Sequence, residues 1–314
     1  MWDEIASAAA IVLAASFAFV LVPAFITYRM TFFNKNKEGF DVYHTVNKNP
    51  PPPFADVSRG LIDRILSEPF EEVRIVASDG AVLFGKYYHR AEGAPLDIML
   101  HGYKSGPLHD FSGGAPAALD IGHNVLLVDQ RGHGASAGKT IAFGIKERYD
   151  CLDWISYAEG RFGKDVRITL VGISMGAATV ISTAELPLPA SVRGIIADCP
   201  YSSAEKIIRK TAKELGYPER LVFPFIRLGG LIFGGFDVKE TTPLEAAKRA
   251  RLPLLLIHGT GDDFVPCEMS RELASAWGGY VRLELFEGAG HGQSYLVDTE
   301  RYLAVLREFY EKTV

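Results

Sequence analysis

Beyond residue 70, short β-branched and leucine-rich runs alternate with helix-patterned stretches. That alternation admits few architectures other than a mostly parallel sheet covered on both faces. The runs Val73–Ala77, Val82–Tyr88, Leu96–Leu100, Asn124–Val128, Val166–Val171, Val192–Ala197, Leu254–Ile257 and Val281–Phe286 predict eight strands in an α/β fold. Ser78-Asp79-Gly80 between the first two is a hairpin signal, so the sheet is expected to begin antiparallel. Helices are expected in the later intervals, for instance over Glu147–Phe162. The chain closes with an apolar stripe, including Tyr295, Tyr302, Leu306 and Phe309, along Ser294–Lys312.

The interval between the sixth and seventh strands, about residues 200–242, is too long for a plain crossover and reads as a small helical cap. Its middle, Leu221–Gly235, is apolar and glycine-rich, which suits either a mobile cap over an apolar pocket or simple packing of the cap onto the sheet. With 48% hydrophobic and 23% charged residues, the chain has ample material for one large core. Lys and Arg number 33 against 38 Asp and Glu, and a net charge of −5 leaves no footprint for nucleic acid. Cys151, Cys199 and Cys267 are odd in number and show no CxxC spacing. They argue against a disulfide framework or a thiolate zinc site and are expected as small buried hydrophobes.

Residues Ile5–Tyr28 carry no charge, and as a helix they would extend about 36 Å against a hydrocarbon core of roughly 30 Å. Asp3 and Glu4 stand where a signal peptide would place basic residues, so the segment is expected as a retained transmembrane anchor over residues 1–28. Arg29, Lys35, Lys37 and Lys48 follow it and no basic residue precedes it, which predicts a single-pass protein with its bulk in the cytoplasm. Residues 29–70 form a juxtamembrane lead-in containing Asn47–Phe54, NKNPPPPF, an expected polyproline spacer. A domain over residues 71–314 then remains.

Within that domain, Gly172-Ile173-Ser174-Met175-Gly176 directly follows a strand and precedes a small-residue helical run. A GxSxG pentapeptide in this setting makes a tight turn that pushes the serine outward. Alone it is a weak signal. Four further motifs follow the ends of other strands in order: His101-Gly102-Tyr103, then Asp129-Gln130-Arg131-Gly132-His133-Gly134-Ala135-Ser136. Next come His258-Gly259-Thr260-Gly261-Asp262-Asp263-Phe264-Val265-Pro266 and, last, Gly288-Ala289-Gly290-His291-Gly292.

On these five motifs the region from about Glu71 to Val314 resembles the α/β-hydrolases, in particular bacterial serine hydrolases of the esterase, lysophospholipase and serine aminopeptidase type that carry an N-terminal membrane segment. The resemblance implies an α/β-hydrolase fold with Ser174 as nucleophile, Asp262 as acid and His291 as base, in the chain order of that family. It implies an oxyanion hole from the backbone N–H groups of Tyr103 and Met175, and neither metal nor organic cofactor. The residue types suit the roles: a serine hydroxyl needs an imidazole within reach, and a carboxylate holds the imidazole's tautomer. Asp263 adjoins Asp262 and is the acid if the turn differs. His101, His133 and His258 are expected as structural, and the Tyr103 side chain either assists the oxyanion or lines the pocket. The expected activity is hydrolysis of a small-molecule carboxylic ester, such as an acyl, lysolipid-like or aromatic ester. A serine aminopeptidase or acyltransferase is the alternative on the same scaffold, and a non-catalytic tethered protein is another.

Overall fold

The computed structural model describes the chain except residues 36–40 and 44–53 and the side chains of residues 8–16 and 18. The expected polyproline spacer therefore lies, but for Phe54, outside the described residues. Eight strands form one sheet: β1 (Glu71–Val76), β2 (Val82–Tyr88), β3 (Leu96–Leu100), β4 (Asn124–Asp129), β5 (Ile168–Ile173), β6 (Val192–Asp198), β7 (Leu254–Gly259) and β8 (Val281–Phe286). Their spatial order is β1-β2-β4-β3-β5-β6-β7-β8. The hairpin β1–β2 and the β2–β4 pair are antiparallel, and every later pairing is parallel.

The parallel strands are apolar because helices cover both faces, so no side of a central strand meets water. On one face Trp154 and Ile155 of helix Glu147–Phe162 pack with Val180 of helix Met175–Thr183 and Leu273 of helix Glu268–Ala276. On the other, Ile65, Leu119 and the Tyr302, Leu306 and Phe309 stripe of the C-terminal helix cover Met99, Leu127 and Val171. Every residue of β3 is buried, including Asp97. That carboxylate is tolerated because His123 Nδ1 (3.0 Å) and the Tyr310 hydroxyl (2.5 Å) hold its two oxygens, tying the C-terminal helix to the sheet. The closing helix is expected to be continuous but breaks into Ser294–Val297 and Thr299–Thr313. At the break the Asp298 carboxylate accepts the Arg301 N–H (3.0 Å), capping the second piece. All three cysteines are free and buried.

The N-terminal expectation needs correcting. Ile5–Tyr28 does lie within one helix, Trp2–Thr31, yet among the described residues no helix is long and apolar enough to cross a membrane. In the final turns of this helix one side packs on protein while Val22, Ile26 and Met30 stay exposed. Ala24, Tyr28 and Phe32 are buried, and a Cβ at Gly229 of the cap would lie 2.4 Å from the Ala24 carbonyl oxygen. Phe32 stacks edge-on against Phe143 and Phe236, and Phe25 against Phe233. Polar bonds lock the same end: Tyr28 to Thr140 (2.6 Å) and Asn34 Nδ2 to the Gly132 carbonyl (3.0 Å). The single-pass assignment and the orientation derived from basic residues both rested on a span, which the described residues do not supply. The cap, helices Ala204–Glu214 and Glu219–Gly229, accordingly turns its apolar middle toward the N-terminal helix.

Phe32→Ala is expected to destabilise the protein by about 3–5 kcal/mol, the usual cost of emptying a packed aromatic site. Denaturant unfolding of the two proteins measures it. An effect under about 1 kcal/mol would mean that the helix end does not stay docked.

Candidate active site

Between β5 and the helix Met175–Thr183, Ser174 sits at φ 54° and ψ −113°, a conformation that a non-glycine residue holds only where the surroundings enforce it. The enforcement comes from its neighbours in the pentapeptide. A Cβ on Gly172 would fall 2.3 Å from the Gly176 carbonyl oxygen, and one on Gly176 would fall 1.8 Å from that of Leu100 in β3. Only glycine at both positions lets the turn close. The Ser174 N–H is fixed on the Asp198 carbonyl (2.8 Å) at the end of β6.

The loops after β7 and β8 bring two more side chains to the serine. His291 Nε2 is 2.9 Å from Ser174 Oγ, and His291 Nδ1 is 2.7 Å from Asp262 Oδ2. Asp263, the other candidate acid, is exposed on the far side of the turn. Asp262 Oδ1 accepts the N–H groups of Phe264 (3.0 Å) and Val265 (2.8 Å), and His258 Nε2 stands 3.3 Å from Oδ2. Burial alone would raise the Asp262 pKa. The hydrogen bonds from His258, His291 and Val265 outweigh it and hold the carboxyl well below the usual carboxylate range, so it remains an anion facing the imidazole.

Opposite the serine lies the loop after β3, close enough that a Cβ on Gly102 would be 3.5 Å from Ser174 Cβ. Its backbone is braced at alternate nitrogens. Gly102 N–H donates to Asp110 Oδ2 (2.6 Å), and Lys104 N–H, in the left-handed region at φ 51°, donates to His133 Nε2 (3.0 Å). Between them, the Tyr103 N–H has no acceptor among the described residues, nor has that of Met175, which opens its helix. The Tyr103 hydroxyl donates to the Thr31 carbonyl (2.6 Å) at the end of the N-terminal helix, so the side chain is committed away from the serine.

His133 Nδ1 bonds the Arg131 carbonyl (3.0 Å), which leaves Nε2 as acceptor. Burial pushes its pKa well below the ordinary value, so it braces as a neutral ring. His101 spans the Gly102 carbonyl (2.8 Å) and the Gln130 N–H (3.2 Å) in the same manner.

A cavity of about 350 Å³ opens at Ser174 and runs between the sheet and the C-terminal helix. Met99, Phe111, Val171, Ile196 and Leu306 make its walls apolar. Thr211 alone comes from the cap helices among the described residues, so the cap's apolar middle is not the pocket roof. Cys199, Asp262 and His291 bring donor atoms within 4.8 Å of one another. They suit a metal poorly: burial raises the Cys199 thiol well above its ordinary value, and both His291 nitrogens are engaged.

A sequence model of the alpha/beta hydrolase family matches residues 98–305. The chain belongs to that family. This alpha/beta hydrolase is 29% identical to the uncharacterized protein YqkD of Bacillus subtilis (strain 168) over 194 residues, 62% of this chain and 64% of YqkD. The match thus spans less than two thirds of that relative. It is 25% identical over 245 residues to the uncharacterized protein Rv2307c of Mycobacterium tuberculosis, 77% of this chain and 79% of the relative. Among solved structures, the Pyrococcus furiosus esterase Pf2001 superposes with a TM-score of 0.66 at 26% identity, over 80% of this chain and 93% of that one.

Two acidic residues of the site escaped the sequence reading. Asp110 follows no motif and reaches Gly102 only through the fold of its loop. Asp198 ends β6, and its place at the same sheet edge as the other motifs was the available signal. Asp110 also accepts from the Ser105 hydroxyl (2.6 Å) and bonds His109 Nδ1 (2.9 Å). Burial opposes its charge, but His109, His101 and Ser105 win and lower the pKa to about 2. Its contribution to this hydrolase's stability is therefore complete above about pH 4 and is lost as pH falls toward 2. Asp110→Asn is expected to cost about 2–3 kcal/mol at pH 7 in urea unfolding, a deficit that narrows below pH 4. A pH-independent deficit would show that the carboxylate's charge does not hold the loop.

Proposed function

We propose that this alpha/beta hydrolase is a serine enzyme that cleaves carboxylic esters through an acyl-enzyme on Ser174. The observation that carries the reading is the continuous line from Ser174 Oγ to His291 (2.9 Å) and from His291 to Asp262 (2.7 Å), with two uncommitted backbone N–H groups beside the serine. His291 Nε2 takes the hydroxyl proton as Ser174 attacks the carbonyl carbon, and Asp262 stabilises the imidazolium without taking the proton. The Tyr103 and Met175 N–H groups receive the oxyanion, reinforced by the positive end of the Met175–Thr183 helix. His291 then protonates the departing alcohol, and the reverse sequence with water frees the acid.

The apolar walls of the cavity support an acyl chain of medium length or an aromatic acyl group, and the likeness to esterase Pf2001 supports an ester as the bond cleaved. A carboxylate nucleophile, as dehalogenase chemistry in this fold requires, has no counterpart at position 174.

Hydrolysis of p-nitrophenyl esters from acetyl to dodecanoyl tests the reading. A chain-length optimum between butanoyl and octanoyl is expected, with Ser174→Ala and His291→Ala each lowering kcat by about 10⁴-fold or more. Asp262→Asn is expected to lose about 10⁴-fold, because the imidazole then takes the wrong tautomer. Ester turnover that survives Ser174→Ala would overturn the assignment.

A further inference from the structure

Three carboxylates border the site, and two are fully engaged. Asp110 receives the Gly102 N–H and the Ser105 hydroxyl and bonds His109; Asp262 receives two backbone N–H groups and two imidazoles. Asp198 is different. It is only 4% exposed, and the Tyr302 hydroxyl reaches Oδ2 at 3.1 Å, but Oδ1 has no hydrogen-bond partner among the described residues. It forms no salt bridge there either. Both Asp198 and Tyr302 line the cavity that opens at Ser174, and the Asp198 carbonyl holds the Ser174 N–H at 2.8 Å. The incomplete carboxylate is thus next to the nucleophile, in a cavity whose walls also carry Lys104, His109, Asp110 and Gln293.

A buried carboxylate with a bare oxygen is costly unless a donor meets it, and an ammonium both donates and neutralises. The lysine at the rim is directed elsewhere, since Lys104 Nζ reaches the Met30 carbonyl (3.3 Å) at the end of the N-terminal helix. Burial also raises the Asp198 pKa to about 6, the behaviour of an acid whose anion lacks a partner.

We infer that Asp198 is a specificity residue that receives a protonated amine carried by the substrate, so that the preferred esters are those of amino-substituted acids. The inference rests on the ester-hydrolase reading and adds a charge to its substrate. Simple alkyl esters still react at Ser174, but they leave Asp198 Oδ1 bare, and a site built around a buried polar group discriminates against analogues that leave it unpaired.

The test compares ethyl esters that differ only in an ammonium or a methyl group: alanine against 2-methylpropanoate, 3-aminopropanoate against butanoate, and 6-aminohexanoate against heptanoate. Each kcat/KM is divided by that ester's hydroxide-catalysed rate, which removes intrinsic activation. The expected result is a preference of about tenfold or more for the amino ester in at least one pair. Asp198→Asn should abolish that preference, bringing the two esters of each pair within about threefold of each other. No preference in any pair, or one that survives Asp198→Asn, overturns the inference. Where the methyl-terminated esters are hydrolysed in a Ser174-dependent manner without any amino preference, the ester-hydrolase reading stands and this one falls.

Titration calorimetry with butylammonium and 1-butanol gives an answer independent of turnover. Tighter binding of the ammonium to the wild type, lost in Asp198→Asn, supports the amine site. Equal or absent binding means a water-filled carboxylate and overturns it. Should Asp198→Asn not fold, the wild-type ratios and the two wild-type titrations decide alone.

Discussion

The helix that follows Ser174 passes β3 so closely that a Cβ on Gly176 would lie 1.8 Å from the Leu100 carbonyl oxygen. The rest of the site depends on this crossing. It requires β3 and β5 to be neighbours, which the strand order provides by placing β3 between β4 and β5. It brings the loop after β3 over the serine, so that a Cβ on Gly102 would lie 3.5 Å from Ser174 Cβ. It also sets Ser174 in a backbone conformation that costs on the order of 1–3 kcal/mol, repaid by the packing of the central strands around it.

Three buried imidazoles beneath the site follow one rule. Each buried imidazole has a donor on one side and an acceptor on the other: His101 between the Gly102 carbonyl and the Gln130 N–H, His133 between the Arg131 carbonyl and the Lys104 N–H, His258 between the Ser270 hydroxyl and the Val265 carbonyl. Such rings work as rigid spacers, because protonation would break the accepted bond. They brace the loops after β3 and β7 while His291 faces the serine. Asp198 differs from them, a buried acid with one oxygen unanswered among the described residues, and it lines the cavity at Ser174.

The N-terminal helix joins the site from an unexpected direction. Its last carbonyls receive the Tyr103 hydroxyl and the Lys104 ammonium, so the loop beside Ser174 is tied at both flanks: to Asp110 and His133 within the sheet domain, and to residues 30 and 31 outside it. Helix, cap and oxyanion loop share one aromatic cluster around Phe32 and Phe143. From the apolar middle of the cap, which from composition suits a pocket roof as well as a packing surface, Phe223 and Ile226 are buried in this cluster, while Leu221, Leu231 and Ile232 stay exposed. The pocket is instead built between the sheet and the C-terminal helix.

Local chemistry determined much of this in the sequence itself. The central strands β3–β7 were legible because a parallel strand buried on both faces must be continuously apolar, and the serine turn was legible because only glycine tolerates the contacts at 172 and 176. The positions of Asp262 and His291 were readable only with the family's motif order, since spacing alone left Asp263 open. What the sequence could not carry were pairings across long separations. Asp110 with Gly102, Asp198 with Tyr302 and Phe32 with Phe143 leave no periodic trace, because each depends on where a loop or helix is carried by the whole sheet. The end of the N-terminal helix shows the same limit most plainly. Hydropathy records that a side chain prefers to leave water, but which neighbour buries it is settled by tertiary contacts, here those of Ala24, Tyr28 and Phe32 with the cap.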